Sequence, residues 1–403
     1  MKKIKFAVIL DQKISSGGGF QQSINAVMIA KKISNRLAEV VFYTTVKKNI
    51  EILKNFNVKV NYIHFSFLLK LRTYFYRIIK DRNIISFFRY FEKSNPREKI
   101  FIKDNVDLIY FLSPTSWPMD LERTNYITTV WDLCHRDNPE FPEVRYDLEF
   151  ARREINYKSI LPAATAILVD SRLSKENIIR RYGIDNERIF EMPFQGSIFI
   201  KDRSNFNYVD IKKKYKLSVP YVFYPAQFWA HKNHIYILEG LKDLEINFGL
   251  KVGAIFCGED KGNLSYLKDC AHKLQLNDRI RFIGFVSNNE IPYLYKQSIA
   301  LVMPSYFGPT NLPPIEAFEL GTPVLYSDLK GMRDQVDDAA LMLDLSDSKI
   351  LANHLKDLIE NDKVRENLIQ KGKKKIKDLN TFDHLEVIET IIKKFIFKRK
   401  TWK

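Results

Sequence analysis

The stretch MPSYFGPTNLPPIEAFELGTPVLYSD, residues 303–328, decides the fold of the second half of the chain. It begins at the end of the apolar run Ser298–Met303, which is typical of a buried strand. Pro314–Leu320 is predicted to be a helix, because proline suits a first turn and Gly321 suits the left-handed residue that ends a helix. Val324–Tyr326 begins another strand. The pattern therefore predicts a strand, a loop, a helix N-terminus and a second strand.

Such a helix N-terminus is a candidate phosphate site. The first N–H groups of a helix are unpaired within the helix, and the helix dipole favours negative charge there. Glu316 is expected in the first turn, where its carboxylate could accept hydrogen bonds from the hydroxyls of a ribose or a sugar. The same carboxylate could be present only because the dipole favours it. The stretch thus indicates an anionic, hydroxyl-bearing ligand.

The composition restricts the classes of partner. The 403 residues suffice for two or three domains. The chain has 64 basic and 48 acidic residues, which gives a net charge of +16. A basic balance fits nucleic acid, an anionic membrane surface or anionic substrates. The sequence contains no recognisable nucleic-acid-binding module, so no nucleic-acid partner is predicted.

Cysteine usage and apolar runs indicate the compartment. Cys134, Cys257 and Cys270 lack the spacing of a metal or redox motif, and an odd number fits a reducing environment. The apolar run in the start MKKIKFAVIL is too short for a signal peptide. No stretch reaches the roughly 20 apolar residues of a membrane span. We expect a cytoplasmic protein, or one that is peripheral at the inner face of the cytoplasmic membrane.

Strands and helices alternate from the start of the chain. Ile4–Leu10 reads as a buried strand, followed by the glycines Gly17, Gly18 and Gly19 and by a helix from about Phe20 to Asn35. These glycines are either a tight turn or a loop that faces a substrate. Their spacing is not that of the dinucleotide-binding fingerprint.

A second series of strands and helices starts at Tyr221. The chain is therefore predicted to be α/β, with two Rossmann-like β/α/β domains that face a central cleft. We expect an N-terminal domain over residues 1–195, a linker over 196–218 and a C-terminal domain over 219–380. Residues 381–403 are expected to form a helix that crosses back to the first domain.

Residues 65–93 combine aromatic and basic side chains in one helical segment, FSFLLKLRTYFYRIIKDRNIISFFRYFEK. Apolar residues at positions 68, 71, 75, 78 and 79 share a face. Such a helix either packs its apolar face on the sheet or lies on an anionic membrane. The excess of basic over acidic residues keeps peripheral membrane contact as a possible partner interaction.

Polar residues follow several of the predicted strands. Asp132 and His135 come after the strand Ile127–Val130. Because ligands of open α/β sheets bind at the carboxyl ends of the strands, both residues are site candidates. Gly284 and Phe285 follow another strand, where they form either a simple turn or the border of a nucleobase site.

Five segments follow one another along the chain: TTVWDLCHRDNPEFP, ILVDSRLSKENIIRRYGI, FYPAQFWAHKNH, IRFIGFVSNNEIPYLYKQS and PSYFGPTNLPPIEAFELGTPV. Across nearly the whole chain, their order, spacing and strand context resemble those of the GT-B glycosyltransferases of family 4, the retaining group 1 enzymes that use nucleotide sugars. The last segment resembles the family's E-x7-E region.

The resemblance implies a donor site in the C-terminal domain. Glu316 falls on the family's second Glu, which binds the ribose, whereas the first Glu position falls on Gly308. Thr310, Asn311 and the N–H of Leu312 are the expected local substitutes, and Gly284 and Phe285 would border the base.

The diphosphate-binding Arg and Lys of the family fall on Gln227 and Lys232. Losing one cation could cost several kcal/mol in stabilisation of the leaving group. His231, or an arginine of the first half such as Arg172, could replace the missing charge.

The resemblance also implies a reaction. The acceptor, a glycan or a lipid-diphosphate-linked saccharide, would enter from the first domain near Gly17, Gly18, Gly19 and Asp132. His135, Asp132 and Lys232 would serve catalysis, and the leaving phosphate would take the acceptor proton on the same face. His135 could instead be a surface histidine of no consequence. The sequence contains no D-x-D motif, so we expect no metal and no other cofactor besides the substrate nucleotide sugar.

We therefore expect a retaining hexosyltransferase of cell-surface polysaccharide or O-antigen assembly. Its donor would be a GDP- or UDP-sugar, with a mannose-like sugar favoured. One alternative function is a sugar-nucleotide epimerase on the same scaffold, which would need no acceptor. Another is a non-catalytic scaffold that binds a sugar nucleotide, which would explain Gly308 and Gln227 at the two altered positions.

Overall fold

The computed structural model describes residues 3–13, 18–81, 95–197, 200, 208–287 and 289–402, which divide into two compact units. The first unit consists of Met1–Trp131, Ala151–Pro193 and Asp383–Lys403. The second consists of Asp132–Phe150 and Phe194–Phe382.

The first unit is built on a parallel sheet of seven strands within the described residues, in the order β3-β2-β1-β4-β5-β6-β7. Its internal strand β1 pairs with β2 on one side and with β4 on the other. Apolar strands buried on both faces are typical of such sheets, and the side chains of Phe6, Ala7, Val8 and Ile9 are fully buried. The strands are β1 (Ile4–Leu10), β2 (Ala38–Thr44), β3 (Val60–Tyr62), β4 (Leu108–Phe111), β5 (Asn125–Val130), β6 (Ala166–Val169) and β7 (Ile189–Glu191).

The second unit contains another parallel sheet, whose six strands in the described part run in the order β10-β9-β8-β11-β12-β13. Its core includes the fully buried rings of Tyr221, Phe223, Tyr224 and Phe256. The strands are β8 (Tyr221–Pro225), β9 (Gly253–Cys257), β10 (Ile280–Phe282), β11 (Leu301–Met303), β12 (Val324–Ser327) and β13 (Leu341–Leu343).

Helices connect the strands in both units, as parallel pairing requires. Short 3₁₀ segments lie at Trp117–Asp120, Tyr146–Leu148, Asn186–Arg188 and Ala230–Lys232. The α-helices are α1 (Gly18–Ala30), α2 (Lys48–Lys54), α3 (Phe67–Asp81), α4 (Glu98–Lys103), α5 (Cys134–Asp137), α6 (Pro142–Arg145), α7 (Glu149–Ile160), α8 (Arg172–Tyr182), α9 (Ile211–Lys214), α10 (His234–Phe248), α11 (Leu264–Lys273), α12 (Ile291–Lys296), α13 (Leu312–Leu320), α14 (Lys330–Val336), α15 (Lys349–Glu360), α16 (Asp362–Asn380) and α17 (His384–Arg399).

The second sheet has a topological switch point between β8 and β11. These strands are neighbours, but the chain continues from β8 to β9 and β10 on one side and from β11 to β12 and β13 on the other. Open α/β sheets bind ligands outside the carboxyl ends of the two strands at such a point. The loops that follow β8 and β11 are therefore the expected ligand-binding loops of this unit.

Helix α13 begins two residues earlier than the sequence predicts. Leu312 is its first residue, and Pro313 and Pro314 both lie in the first turn, where the missing proline N–H costs no helical hydrogen bond. Glu316 is consequently in the second turn, so its expected place in the first turn is wrong. Gly321 ends the helix with φ 73°, which confirms the predicted left-handed residue.

Residues 132–150 cluster with the second unit, although the sequence analysis places them in the domain 1–195. The reason is a small apolar cluster in which Cys134 and Val144 pack with Phe307, against Phe141 and Tyr306. This segment therefore brings its polar side chains to the loop that follows β11.

The C-terminal helix α17 belongs to the first unit. Its buried side chains include Ile388, Ile391, Ile392 and Phe395. The carboxylate of Glu389 accepts a hydrogen bond of 3.0 Å from the backbone N–H of Ser34, which follows α1. The helix thus completes the apolar packing of the first unit.

Helix α3 leaves much of its apolar surface exposed. The exposed fractions are 80% for Phe67, 66% for Leu68, 61% for Tyr74 and 54% for Phe75. Residues 82–93 of the predicted amphipathic segment lie outside the described residues. Among the helices that the structure describes, none combines the length and apolarity needed to cross a bilayer.

Candidate active site

The loops after β8 and β11 meet through Lys232. Its ammonium donates a hydrogen bond of 3.4 Å to the hydroxyl of Ser305. That hydroxyl lies in turn 3.2 Å from the backbone N and O of Phe307. Burial lowers the pKa of Lys232 to about 8, and the negative groups Asp132 and Glu143 oppose this effect. At neutral pH the switch point therefore holds the positive charge of a half-buried lysine.

The residue before Lys232 forms a buried pair with a carboxylate. Glu143 accepts a hydrogen bond of 2.9 Å from the backbone N–H of His231 and a second, shorter one from the ring nitrogen Nδ1 of the same residue. The side chains are only 10% and 7% exposed, for His231 and Glu143 respectively. Burial lowers the pKa of His231 to about 4, with the charge of Lys232 acting in the same direction.

This pair has a defined protonation state. Burial tends to raise the pKa of Glu143, but its two hydrogen bonds from His231 outweigh burial and lower the pKa below its usual value. Near neutral pH the imidazole is therefore neutral, its proton is on Nδ1, and Glu143 is a carboxylate. The other ring nitrogen, Nε2, is the one that does not contact Glu143.

Aromatic rings fix the position of His231. Its ring stacks on Phe307 at a centroid distance of 4.0 Å and an interplanar angle of 8°. Phe141 packs edge-on against both rings. The backbone N–H of Tyr306 donates to the carbonyl of His231 at 2.9 Å. The loop containing His231 and the loop containing Phe307 are thus joined by stacking and by a backbone hydrogen bond.

Gly308 occupies a position that excludes a side chain. Its φ is 93°, and a Cβ there would lie 3.0 Å from the carbonyl oxygen of Thr310 and 3.1 Å from the amide nitrogen of Asn311. Its N–H lies 3.4 Å from the sulfur of Cys134. The family's first Glu position is therefore filled by a tight backbone turn.

Asn311 holds the start of α13 through a side-chain network. Its amide nitrogen donates to the hydroxyl of Tyr326 at 2.7 Å and lies 3.4 Å from the carbonyl oxygen of Phe307. Gln335 bonds both backbone groups of Asn311, at 2.9 and 2.6 Å. Thr310 and the N–H of Leu312 flank this residue at the helix N-terminus. The predicted substitutes for the missing Glu therefore lie together on an ordered turn.

Glu316 is buried beside Tyr295. The tyrosine hydroxyl donates to its Oε2 at 2.8 Å, and Tyr295 itself is fully buried. The carboxylate of Glu316 is thus oriented by a second side chain that the sequence analysis missed. Its role in ribose binding stays a prediction.

Gln227 and Phe285 are exposed. The side-chain amide oxygen of Gln227 accepts a hydrogen bond of 3.0 Å from the indole N–H of Trp229. Phe285 is 73% exposed and follows Gly284, whose φ is 66°. The carbonyl of Gly284 accepts from the N–H of Gly258, which anchors the turn after β10 to the strand end of β9.

His135 and Asp132 lie in the segment that joins the second unit. His135 is completely buried and packs edge-on against Phe150 at 5.5 Å, so the alternative of a surface histidine is wrong. Asp132 accepts a hydrogen bond of 3.0 Å from the N–H of Cys134 and thereby positions the start of α5. Their catalytic roles stay predictions.

The predicted acceptor glycines belong to the first unit. Gly17 lies outside the described residues, and Gly18 is the first residue of α1. A Cβ on Gly19 would lie 3.2 Å from the ring of Trp131. Among the described residues, no group of three or more His, Cys, Asp or Glu side chains is placed to hold a metal ion.

Sequence reasoning missed four groups that complete the site: Glu143, Tyr295, Ser305 and Phe307. Glu143 and His231 are 88 positions apart in the sequence, and neither residue carries a motif that connects them. Phe307 was visible only as part of the FGPTN loop. Their contribution depends on contacts that the fold creates.

Comparison with known proteins identifies the second unit. Residues 209–375 match the family model "Glycosyl transferases group 1". This segment is a group 1 glycosyltransferase domain. It includes Lys232, Ser305, Gly308 and Glu316, and the match confirms that the sequence resembles the group 1 glycosyltransferases.

Two curated relatives extend the likeness. The "O-antigen chain mannosyltransferase B" of Escherichia coli is 26% identical over 283 residues, which are 69% of this chain and 72% of that protein. The "O-antigen chain mannosyltransferase RfbU" of Salmonella typhimurium is 28% identical over 194 residues, or 48% and 50% of the two chains. The chain thus aligns with about half of the second relative's length.

Solved structures establish the fold of the whole chain. The Anabaena protein HepE, solved in complex with UDP-glucose, superposes with a TM-score of 0.67 and 16% identity. The superposition covers 99% of this chain and 100% of the other. The group 1 domain is therefore part of a GT-B glycosyltransferase fold with two parallel sheets, as predicted.

Proposed function

We propose that this glycosyltransferase transfers a mannose-like sugar from a GDP- or UDP-sugar to a saccharide acceptor in O-antigen or related polysaccharide assembly. The observation that carries the proposal is the half-buried cation Lys232 beside Ser305 at the switch point of the second sheet, within the group 1 domain. Two curated relatives are named O-antigen chain mannosyltransferases, which supports both the sugar and the setting.

The donor would lie against the loops after β8, β10 and β11. Lys232 and the N-terminus of α13 would bind the diphosphate, because both present positive potential to an anion. Glu316, oriented by Tyr295, would accept hydrogen bonds from the ribose hydroxyls. Phe285, which is exposed next to Gly284, would stack on the base.

The transfer would retain the anomeric configuration and need no metal. Stabilisation of a leaving diphosphate requires positive charge or aligned dipoles, and Lys232 and the helix N-terminus supply both. The sequence lacks the D-x-D motif of metal-bridged donors. His135 and Asp132 would contact the sugar and orient the acceptor hydroxyl, with Gly17, Gly18 and Gly19 on the acceptor side.

The acceptor would be a lipid-diphosphate-linked saccharide at the inner face of the cytoplasmic membrane. Helix α3 supports this proposal, because its exposed aromatic side chains are accompanied by the exposed Lys70 and Arg72. Aromatic rings favour the membrane interface, and basic residues favour anionic lipid. The protein would be cytoplasmic and peripheral.

The substitution Glu316→Gln tests the donor site. It keeps the size of the side chain but removes the charge that would bind the ribose, so the KM for the donor should rise on the order of 10- to 100-fold. A thermal-shift panel of GDP, UDP and their sugars first identifies the donor, and a radiolabelled transfer assay then measures KM. Glu319→Gln on the same helix is the control. An unchanged donor KM for Glu316→Gln would refute the proposed ribose contact.

A further inference from the structure

Beside Lys232 lies a pair of ionisable side chains, Glu143 and His231, to which the proposed function gives no role. Glu143 is held by two hydrogen bonds from one residue, and both partners are almost fully buried. Buried ionisable pairs of this kind are costly to maintain and cluster at functional sites. The position next to Lys232 makes diphosphate binding the obvious process to examine.

Within the described part of the chain, only one carboxylate oxygen of Glu143 is hydrogen-bonded. Its Oε1 takes both hydrogen bonds from His231, whereas its Oε2 is buried and has no hydrogen-bonding partner among the described residues. A buried carboxylate with one unsatisfied oxygen stabilises a positive charge on its neighbour. The pair is therefore prepared to accept a proton on His231.

The family pattern has a second cation at this site. Gln227 stands where the family pattern has an arginine, and its side chain is bonded to Trp229. Arg172, the other candidate, is exposed in the first unit and forms an ion pair with Glu176. His231, in contrast, adjoins Lys232 in sequence and is fixed by stacking on Phe307 of the loop after β11. Stacking and the bond to Glu143 leave Nε2 as the ring atom that can reach a ligand.

We propose that His231, held by Glu143, replaces the missing arginine by becoming protonated when the sugar nucleotide binds, so that Nε2–H donates to a diphosphate oxygen. This proposal rests on the proposed function and adds to it the uptake of one proton when the donor binds. Solvent supplies that proton, and no covalent bond changes. His231 is a binding residue in this scheme, and Glu143 is a positioning residue that acts through it.

The charges around His231 explain why ligand binding controls its protonation. Burial and the charge of Lys232 lower its pKa, whereas Glu143 and Asp132 raise it. A bound diphosphate would place negative charge beside both Lys232 and the imidazole, so that it offsets the repulsion from this lysine and also part of the cost of burying a charged ring. The imidazole, neutral in the free protein, then becomes a cation in the complex.

Calorimetry at about pH 6.5 tests the proposal directly, because Lys232 is protonated there and His231 is neutral before binding. The probes are GDP-mannose and UDP-glucose, whose diphosphate diesters have no phosphate group that titrates near neutral pH. Binding enthalpies in buffers of different ionisation enthalpy give the number of protons taken up. We expect about one proton for the wild-type protein, since one imidazole is charged.

Two variants and one control complete the experiment. His231→Gln should take up almost no proton and bind the donor on the order of 10- to 100-fold more weakly, as expected for a lost charge-assisted hydrogen bond. Glu143→Gln should also take up fewer protons per bound donor than the wild type. His272→Gln on α11 should take up as many as the wild type. Far-ultraviolet circular dichroism of each variant checks the fold.

The outcomes separate this inference from the function on which it rests. Donor binding without proton uptake in the wild type, or uptake that persists in His231→Gln, overturns the inference and leaves the donor site intact. Failure of both sugar nucleotides to bind at millimolar concentration overturns the proposed function and the inference together. Uptake that disappears in His231→Gln but not in His272→Gln supports both.

Discussion

At the scale of single residues, this site departs from its family pattern at Gly308 and Gln227, and the structure shows what surrounds each departure. Gly308 forms a left-handed turn between Phe307 and the start of α13. Gln227 faces solvent near a histidine that is buried against a carboxylate. The two changed positions thus lie on the two loops that His231 and Phe307 join.

The turn at Gly308 should not tolerate a side chain. Gly308→Ala would force φ 93° on an L-residue and place a Cβ 3.0 Å from the carbonyl oxygen of Thr310. Strain of this kind costs about 1–3 kcal/mol, so the unfolding midpoint of the second unit should fall and donor affinity should weaken. Urea unfolding followed by tryptophan fluorescence measures the unfolding midpoint, and calorimetry measures the donor affinity.

Gly321→Ala is the matched control for this variant. Gly321 is in the same unit with φ 73°, but a Cβ there would meet only Ile369 at an ordinary 3.7 Å. It therefore isolates the cost of the left-handed backbone from the cost of crowding. If Gly308→Ala loses no more stability than Gly321→Ala and keeps its donor affinity, crowding at the turn has no role in the site.

Individual residues were predictable where a local rule fixes them. Gly321 ends α13 as expected, because only a left-handed residue closes that helix. Lys232 was identifiable from its motif, but its half-buried position beside Ser305 was not. Glu143 and Tyr295 could not be found, since each meets its partner only after distant segments have folded together.

At the scale of elements, the alternation of apolar runs predicted the strands well, because buried parallel strands carry a strong local signal. Helix starts were less accurate. Pro313 and Pro314 mark a first turn, but they do not show that Leu312 already belongs to the helix. The exposed aromatic face of α3 could not be separated from a packed face by periodicity alone.

Helix α3 should bind anionic vesicles. In Phe67→Ser/Phe75→Ser, two exposed aromatic side chains are replaced by small polar ones, and the loss of their burial in the membrane interface should weaken binding at least about tenfold. Co-sedimentation with phosphatidylcholine vesicles that contain phosphatidylglycerol measures the fraction of protein bound to the vesicles. Ile246→Ser removes an equally exposed apolar side chain from α10 and should bind as the wild type does. Equal binding by all three proteins would exclude α3 as the contact.

At the scale of the whole molecule, the two sheets confirm the predicted pair of β/α/β domains, and the chain passes between the units several times. Residues 132–150 belong to the second unit, and α17 belongs to the first. A sequence pattern shows where strands and helices lie along the chain, but membership of a unit depends on contacts between distant segments. The proposed donor residues all fall in the second unit, so its ligand affinity should not depend on the core of the first.

Ile392→Ala tests that independence. Ile392 is fully buried in the first unit, and truncating such a side chain costs about 2–5 kcal/mol. Hydrogen exchange should therefore become faster in β1–β7 but not in β8–β13, and the dissociation constant of the sugar nucleotide should stay the same. Phe397→Ala on the same helix, where the ring is 74% exposed, should change stability by less than about 0.5 kcal/mol. A tenfold loss of donor affinity in Ile392→Ala would show that the core of the first unit also determines the donor site, because the second unit alone could not then account for binding.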